Sequence, residues 1–104
     1  MERIVITGMG TVNPLGLNVK DTWKNAVEGV SGVGPITHFD HSAQLVHIAA
    51  ELKGFDPTTV LDNREIRRRD PFELMASVAA SEAVASSGLE VTEANASRIG
   101  VQSL

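Results

Sequence analysis

Apolar residues cluster in three short runs that predict β-strands. Residues 4–6 form a continuous β-branched run, which is typical of a strand buried on both faces of a sheet. Residues 45–52 are rich in aliphatic and small side chains but alternate poorly, and residues 98–102 form the third run. The last run is joined to the first by helical crossovers, so we expect these strands to be parallel and the crossover right-handed, which is an α/β class of fold.

After the first apolar run, the spacing of apolar residues predicts a helix. Asn18 is placed to cap a helix that extends through Val30, and Asp21 lies in its first turn, where the helix dipole favours a carboxylate. The apolar residues of this helix share one face: Trp23, Ala26, Val27 and Val30. Beyond it, residues 36–44 are predicted to form an irregular loop.

Two short helical segments are predicted in the middle of the chain. Asp56 is positioned to cap the first, which begins at Pro57. The stretch NREIRRR predicts the second, directly before a longer helix.

The helix with the clearest boundaries covers residues 71–87. Asp70 is the predicted N-cap, Pro71 the first helical residue, Glu73 the second half of a capping box, and Gly88 the residue just past the end. Its body is small and uncharged on every face, apart from Glu82. Such a helix is expected to be covered by other elements on several sides, because a surface helix normally carries a charged stripe.

The stretch RIVITGMGTVNPLG partly matches a dinucleotide-binding fingerprint. Gly8 and Gly10 match its first two glycines, but Asn13 stands where the third should be. A phosphate site also requires a helix N-terminus directly after the turn, whereas Pro14 and Gly16 delay the helix. We therefore interpret this stretch as a strand followed by a tight turn that glycine permits.

Composition narrows the range of functions. With 104 residues, 42% of them hydrophobic, the chain is one domain or part of one. A formal net charge of −4 argues against general nucleic-acid binding, and no apolar run approaches the length that spans a bilayer. No signal-peptide pattern follows Met1, so we expect a soluble, cytoplasmic protein without a membrane partner. Without cysteine, the chain has no disulfide, thiol nucleophile or zinc-thiolate site.

Four arginines form a compact basic cluster within six positions: Arg64, Arg67, Arg68 and Arg69. On a helix the first three share one face, whereas Arg69 points to one side. The cluster has two explanations. Its members form ion pairs with the neighbouring acidic residues Asp62, Glu65 and Asp70, or they bind an acidic partner or a phosphate, for which guanidinium groups are well shaped.

No catalytic constellation is visible in the sequence. The histidines His38, His41 and His47 raise a metal hypothesis, but the loop that holds the first two offers only Asp40 as a further ligand, so loop-supporting hydrogen bonds are favoured. The candidate nucleophiles stand neither in a nucleophile elbow nor beside a recognisable base: Thr7, Thr11, Ser77 and Ser81. We predict no catalytic residue, no metal site and no cofactor.

Four stretches match one known family in the expected order: RIVITGMGTVNPLG, TWKNAVEGVSGVGPITHFD, REIRRRDPFELMASVAASEA and SGLEVTEANASRIGVQ. Together they resemble the amino-terminal quarter of a β-ketoacyl-acyl carrier protein synthase, a type II condensing enzyme of bacterial fatty acid synthesis. The resemblance implies that residues 1–104 are the amino-terminal part of such a domain, with the remainder absent from the chain. It also implies a thiolase-like fold of two related halves, each a five-stranded sheet flanked by helices.

In that fold two central helices are buried between the sheets, and residues 71–87 would supply one of them. Gly8 and Gly10 would then shape a turn at the end of the first core strand and bind no nucleotide. Family members are homodimers that load an acyl chain onto a cysteine and condense it with malonyl-acyl carrier protein by decarboxylation, aided by two histidines. The resemblance puts these three residues beyond position 104, so this chain alone is expected to be inactive.

The resemblance also implies a docking site for acyl carrier protein, made by basic residues just before the buried helix. Arg64, Arg67 and Arg68 match that site by position. They would contact the acidic helix of the carrier and the phosphate of its phosphopantetheine group, which bears the acyl or malonyl chain.

The chain departs from the family pattern at its end, where Ser103 and Leu104 replace the start of a glycine-rich segment. We expect either a piece of a longer enzyme or a truncated product with an altered end. Two other functions remain open on sequence grounds. One is a non-catalytic synthase relative, such as a chain-length factor paired with an active subunit, and the other is an independent carrier-binding fragment.

Overall fold

The structure, a computed structural model, describes residues 2–102, so Ser103 and Leu104, where we expect the sequence to leave the family pattern, lie outside the described residues. The elements follow one another as helix α1 (Val19–Val27), strands β1 (Val33–Pro35) and β2 (Ile48–Ala50), helix α2 (Asn63–Arg68) and helix α3 (Pro71–Ser87). Short 3₁₀ turns cover Pro57–Thr59 and Ala96–Arg98. Helices and a small sheet occur in one chain, as predicted.

Helix α1 begins where the sequence predicts. The Asn18 side chain accepts a hydrogen bond from the Asp21 amide at 2.8 Å. The helix ends at Val27, so its predicted extension to Val30 is wrong. Gly29 adopts a left-handed φ of 73°, and the Val30 amide then donates back to the Asn25 carbonyl at 2.9 Å, which closes the helix.

Helix α3 has the predicted bounds but not the predicted capping box. Gly88 follows its last residue with φ 71°, as a left-handed C-cap requires. The Asp70 side chain makes no capping hydrogen bond; instead its carbonyl accepts from the amides of Glu73 and Leu74 at 3.0 and 3.1 Å. Pro71 fixes φ at the first helical position, where its missing N–H would have no partner within the helix.

The predicted short helical segments both form. The Asp56 side chain accepts from the Thr58 amide at 2.9 Å and caps the turn that begins at Pro57. Asp62 caps α2 in the same way, since its carboxylate accepts from the Glu65 amide at 2.8 Å.

Two of the three predicted strands are wrong. Residues 4–6 and 98–102 form no strand within the part of the chain that the structure describes, and Ile4 and Val101 are each 98% exposed. A strand needs a neighbour that satisfies its backbone groups, and none lies beside either run. Of residues 45–52, only β2 is a strand.

The sheet differs from the predicted parallel arrangement. Strand β2 pairs antiparallel with β1, a strand that the sequence did not predict, and Val33 lies opposite Ala50. Only the loop of residues 36–47 joins the two strands, and so short a connection without a helical crossover favours the antiparallel direction.

The amino-terminal segment packs on helix α3 at very close range. A β-carbon added at Gly8 would lie 2.6 Å from the Ser87 amide nitrogen, and one at Gly10 would lie 2.7 Å from the Ala83 nitrogen and collide with the Ala79 carbonyl oxygen. The tight turn is not at these glycines. It lies at residues 13–16, where backbone hydrogen bonds of 2.9 and 3.1 Å join Asn13 and Gly16. The two glycines therefore permit close packing, as glycine does where backbones approach.

No residue between 2 and 102 is fully buried, and helix α3 is only partly covered. The chain segment at Gly8 and Gly10 covers one side, while Phe72 and Val84 remain 68% and 48% exposed. The predicted covering of this helix on several sides is thus not supplied by the described residues. No helix in this range has the length and apolarity needed to cross a membrane.

Candidate functional site

Arg64, Arg67 and Arg68, here called the basic face, lie on helix α2 with their side chains exposed. Within residues 2–102, none of the three forms a salt bridge or a side-chain hydrogen bond, although Asp62, Glu65 and Asp70 are close in sequence. Asp62 instead serves as the N-cap of α2. The ion-pair explanation of the cluster is therefore wrong in this structure, and three guanidinium groups face solvent.

The charge of the basic face contrasts with that of the whole chain. Three positive groups lie within two helical turns on a protein of net charge −4. A local positive spot on an acidic protein attracts an acidic partner in a defined orientation and repels it elsewhere. Because guanidinium groups are weakly hydrated and present forked donors, the face can bind carboxylates or a phosphate.

Arg69 does not belong to the basic face. It is the C-cap residue of α2, and its Nη1 donates to the Ser77 hydroxyl of helix α3 at 3.0 Å. The sequence predicts that Arg69 points aside, and this is confirmed. Ser77, considered above as a nucleophile, is thus the acceptor of an arginine.

The three histidines make contacts that hold their loop in place. The Nδ1 atoms of His41 and His47 lie 2.7 Å apart, so one ring donates to the other. The Glu51 carboxylate accepts from the amides of Thr37 and His38 at 3.0 and 3.1 Å and lies 3.4 Å from His38 Nδ1. The interpretation of loop-supporting hydrogen bonds is confirmed. Among residues 2–102, no group of three or more His, Asp or Glu side chains is arranged to hold a metal ion.

These contacts change the acidity of Glu51. Partial burial by itself would raise the pKa of its carboxyl, but hydrogen bonds from the amides of Thr37 and His38 and from the Thr37 hydroxyl outweigh it. They hold the pKa of Glu51 below its ordinary value of 4.5. The Glu51 carboxylate therefore serves as a hydrogen-bond acceptor for the loop.

A cleft of about 800 Å³ lies between the start of α3 and strand β2. Its walls are mainly apolar, with Phe55 and Met75 among them, and Glu51 and His38 are polar residues at its edge. Because Glu51 is already hydrogen bonded to the loop, its carboxylate is not available as an acid or base in this cleft, whose surface is mainly apolar.

Two structural residues were not assigned a role from the sequence. Glu82 of α3 accepts hydrogen bonds from the amides of Thr11 and Val19, each at 3.0 Å, and so joins three segments. Asn13 donates to the hydroxyls of Thr11 and Thr22, both at 2.9 Å. The signal for Glu82 was its position as the one charge in α3 beyond the first turn, where Glu73 lies.

A family model described as "Beta-ketoacyl synthase, N-terminal domain" matches residues 1–103. The chain is 50% identical over 100 residues to "3-oxoacyl-[acyl-carrier-protein] synthase 2" from Coxiella burnetii, covering 96% of this chain and 24% of the relative. It is 48% identical over 100 residues to the protein of the same name from Staphylococcus aureus strain COL, with the same coverage of both chains.

The chain thus spans about a quarter of the length of the curated relatives that it matches. The family match covers all five helices and strands of the structure, and it includes the basic face. On this evidence the chain belongs to the β-ketoacyl synthase family, whose amino-terminal domain it matches.

Proposed function

We propose that this chain supplies the amino-terminal part of a condensing enzyme of fatty acid synthesis. The complete enzyme joins an acyl thioester to malonyl-acyl carrier protein in a decarboxylative Claisen condensation. The family match and the names of the relatives support this proposal. Since the chain contains no cysteine, we assign it core elements and carrier docking, and the acyl-enzyme step belongs to other residues.

The finer architecture that we propose is the thiolase-like layered fold. Helix α3 would be one of its two central helices. Its small residues and the close approach of Gly8 and Gly10 to its backbone support a tightly packed position. We further propose a homodimeric enzyme in the cytoplasm, as the family resemblance implies.

Acyl carrier protein is the partner that we propose for the basic face. The observation that carries this proposal is the set of three exposed guanidinium groups on α2 without internal partners in the described chain. They suit an acidic helix, and a guanidinium fork suits the phosphate of phosphopantetheine.

The two other functions find less support. The relatives named above are synthases, which does not favour a non-catalytic chain-length factor. An independent carrier-binding fragment would need a closed core of its own, and none of the residues from 2 to 102 is buried.

Charge reversal at the basic face tests the docking role. In the complete synthase that contains this chain, Arg67→Glu together with Arg68→Glu should weaken binding of acyl carrier protein roughly tenfold to a hundredfold at low salt. The salt dependence of binding should become shallower, because fewer ionic contacts remain to be screened. Titration of the carrier at several salt concentrations measures both effects.

A matched control reverses two charges elsewhere on the chain. Lys20 and Lys24 are exposed residues of α1, so Lys20→Glu with Lys24→Glu changes the net charge equally without touching the basic face. We expect this variant to bind the carrier almost as the parent does. Equal losses in both variants, or unchanged affinity of the Arg67 and Arg68 variant at low salt, would contradict the docking role.

A further inference from the structure

Helix α2 carries the basic face but is too short to hold a fixed direction by itself. It has six residues, none of them buried, and only Ile66 is partly covered. Isolated helices of this length are unstable in water, because few hydrogen bonds repay the cost of forming the first turn. The direction of the three guanidinium groups therefore depends on contacts that α2 makes with its surroundings.

The connection to α3 is short. Arg69 and Asp70 alone separate the two helices, and Arg69 is extended, with φ −118° and ψ 144°. In the segment of residues 62–70, the hydrogen bonds of the Asp62 and Asp70 acceptors are local ones that cap the two helices. They fix where each helix starts and do not join one helix to the other.

One side-chain hydrogen bond crosses this corner. Arg69 Nη1 donates to the Ser77 hydroxyl, 3.0 Å away and eight residues further along the chain. Within residues 2–102 it is the only side-chain hydrogen bond between residues 62–69 and helix α3. A bond that spans the corner resists rotation of α2 about the connection.

We propose that Arg69 is a positioning residue for acyl carrier protein. By bonding to Ser77 it fixes the angle of α2 against α3, and so aims the basic face at its partner. This inference rests on the proposed docking function. It divides the four arginines of the cluster into three that contact the carrier and one that orients them.

Ser77→Ala in the complete synthase tests this role without a change of charge. The variant removes the acceptor but keeps all four guanidinium groups. We expect the Kd for acyl carrier protein to rise roughly fivefold, as for the loss of one exposed hydrogen bond. The slope of affinity against salt should stay parental, because no ionic contact is removed.

Kinetics separate positioning from a general structural defect. The KM for the carrier-bound substrate should rise in Ser77→Ala, while turnover of an acyl thioester without carrier protein stays parental. Ser81→Ala is the matched control, because Ser81 is an exposed serine on the same helix. Arg69→Lys keeps both a donor and the charge, so it should bind the carrier almost as well as the parent.

The outcomes distinguish this role from the docking function itself. Parental affinity in Ser77→Ala, with weakened binding after charge reversal at Arg67 and Arg68, overturns only the positioning role. Weaker carrier binding in Arg69→Gln, with parental binding in Ser77→Ala, also overturns only the positioning role. Arg69 would then contact the carrier directly. If charge reversal at Arg67 and Arg68 has no effect, the docking function and this inference both fail.

Discussion

The space around a residue restricts which side chain can stand there, and Gly10 is the clearest case. A β-carbon at this position would collide with the Ala79 carbonyl oxygen and lie 2.7 Å from the Ala83 nitrogen. Both atoms belong to the backbone of a helix, so neither can move aside without disturbing helical hydrogen bonds. The glycines near the amino terminus thus allow this segment to pack closely against α3.

Gly10→Ala should therefore destabilise the complete synthase by about 1–3 kcal/mol, the usual cost of overpacking a close contact. Gly34→Ala is the matched control, because a β-carbon there meets no heavy atom within 4 Å. Denaturant unfolding of both variants measures the difference. Equal midpoints for the two variants would show that the approach to α3 is not close.

Glu51 gives a residue-scale prediction about pH. Its pKa lies below 4.5 in the folded chain, so its hydrogen bonds contribute stability above that value and are lost as the pH falls through the folded pKa. We expect protection of the Thr37 and His38 amides from hydrogen exchange, relative to the intrinsic exchange rate at each pH, to fall as the pH drops below 4.5. Glu51→Gln should remove most of this dependence, whereas Glu93→Gln, at an exposed position, should not. Protection that falls equally in the parent and in Glu51→Gln as the pH drops would contradict the assignment.

At the scale of elements, Glu82 joins helix α3 to two other segments. Its carboxylate accepts from the Thr11 amide in the amino-terminal segment and from the Val19 amide at the start of α1. Both donors are backbone N–H groups, so the contact requires the Glu82 carboxylate but no particular side chain on Thr11 or Val19. One side chain thereby sets the arrangement of three elements.

Glu82→Gln should cost about 1–3 kcal/mol of stability, because the amide replaces one acceptor oxygen by a donor that faces a backbone N–H. Glu73→Gln is the control on the same helix, since the Glu73 side chain makes no hydrogen bond with residues 2–102. Thermal unfolding of the complete synthase compares the two variants. A loss in Glu73→Gln as large as in Glu82→Gln would contradict the joining role.

At the scale of the whole molecule, the described fold is open. Its Cα radius of gyration is 17.1 Å, whereas a compact domain of this length has about 13 Å. It exposes 8697 Å², against about 5,700 Å² for a compact monomer of its mass. Large apolar side chains such as Ile4, Val5 and Ile6 account for part of this excess.

We therefore expect the 104-residue chain by itself to lack a cooperative unfolding transition, because a cooperative transition requires a closed core. Differential scanning calorimetry of the isolated chain, with the complete synthase as control, measures this. A single sharp transition with equal calorimetric and van't Hoff enthalpies would contradict the prediction.

The sequence by itself determined the family, the starts of α1, α2 and α3, and the end of α3. Helices are predictable because their hydrogen bonds and caps join residues three to five positions apart. Asn18, Pro71 and Gly88 therefore mark helix ends within the local sequence. Only the tertiary structure decided which apolar run pairs as a strand, what Gly10 packs against and which arginine bonds to Ser77. These contacts join residues far apart in the chain, and a local pattern does not specify the partner of a distant backbone group or side chain.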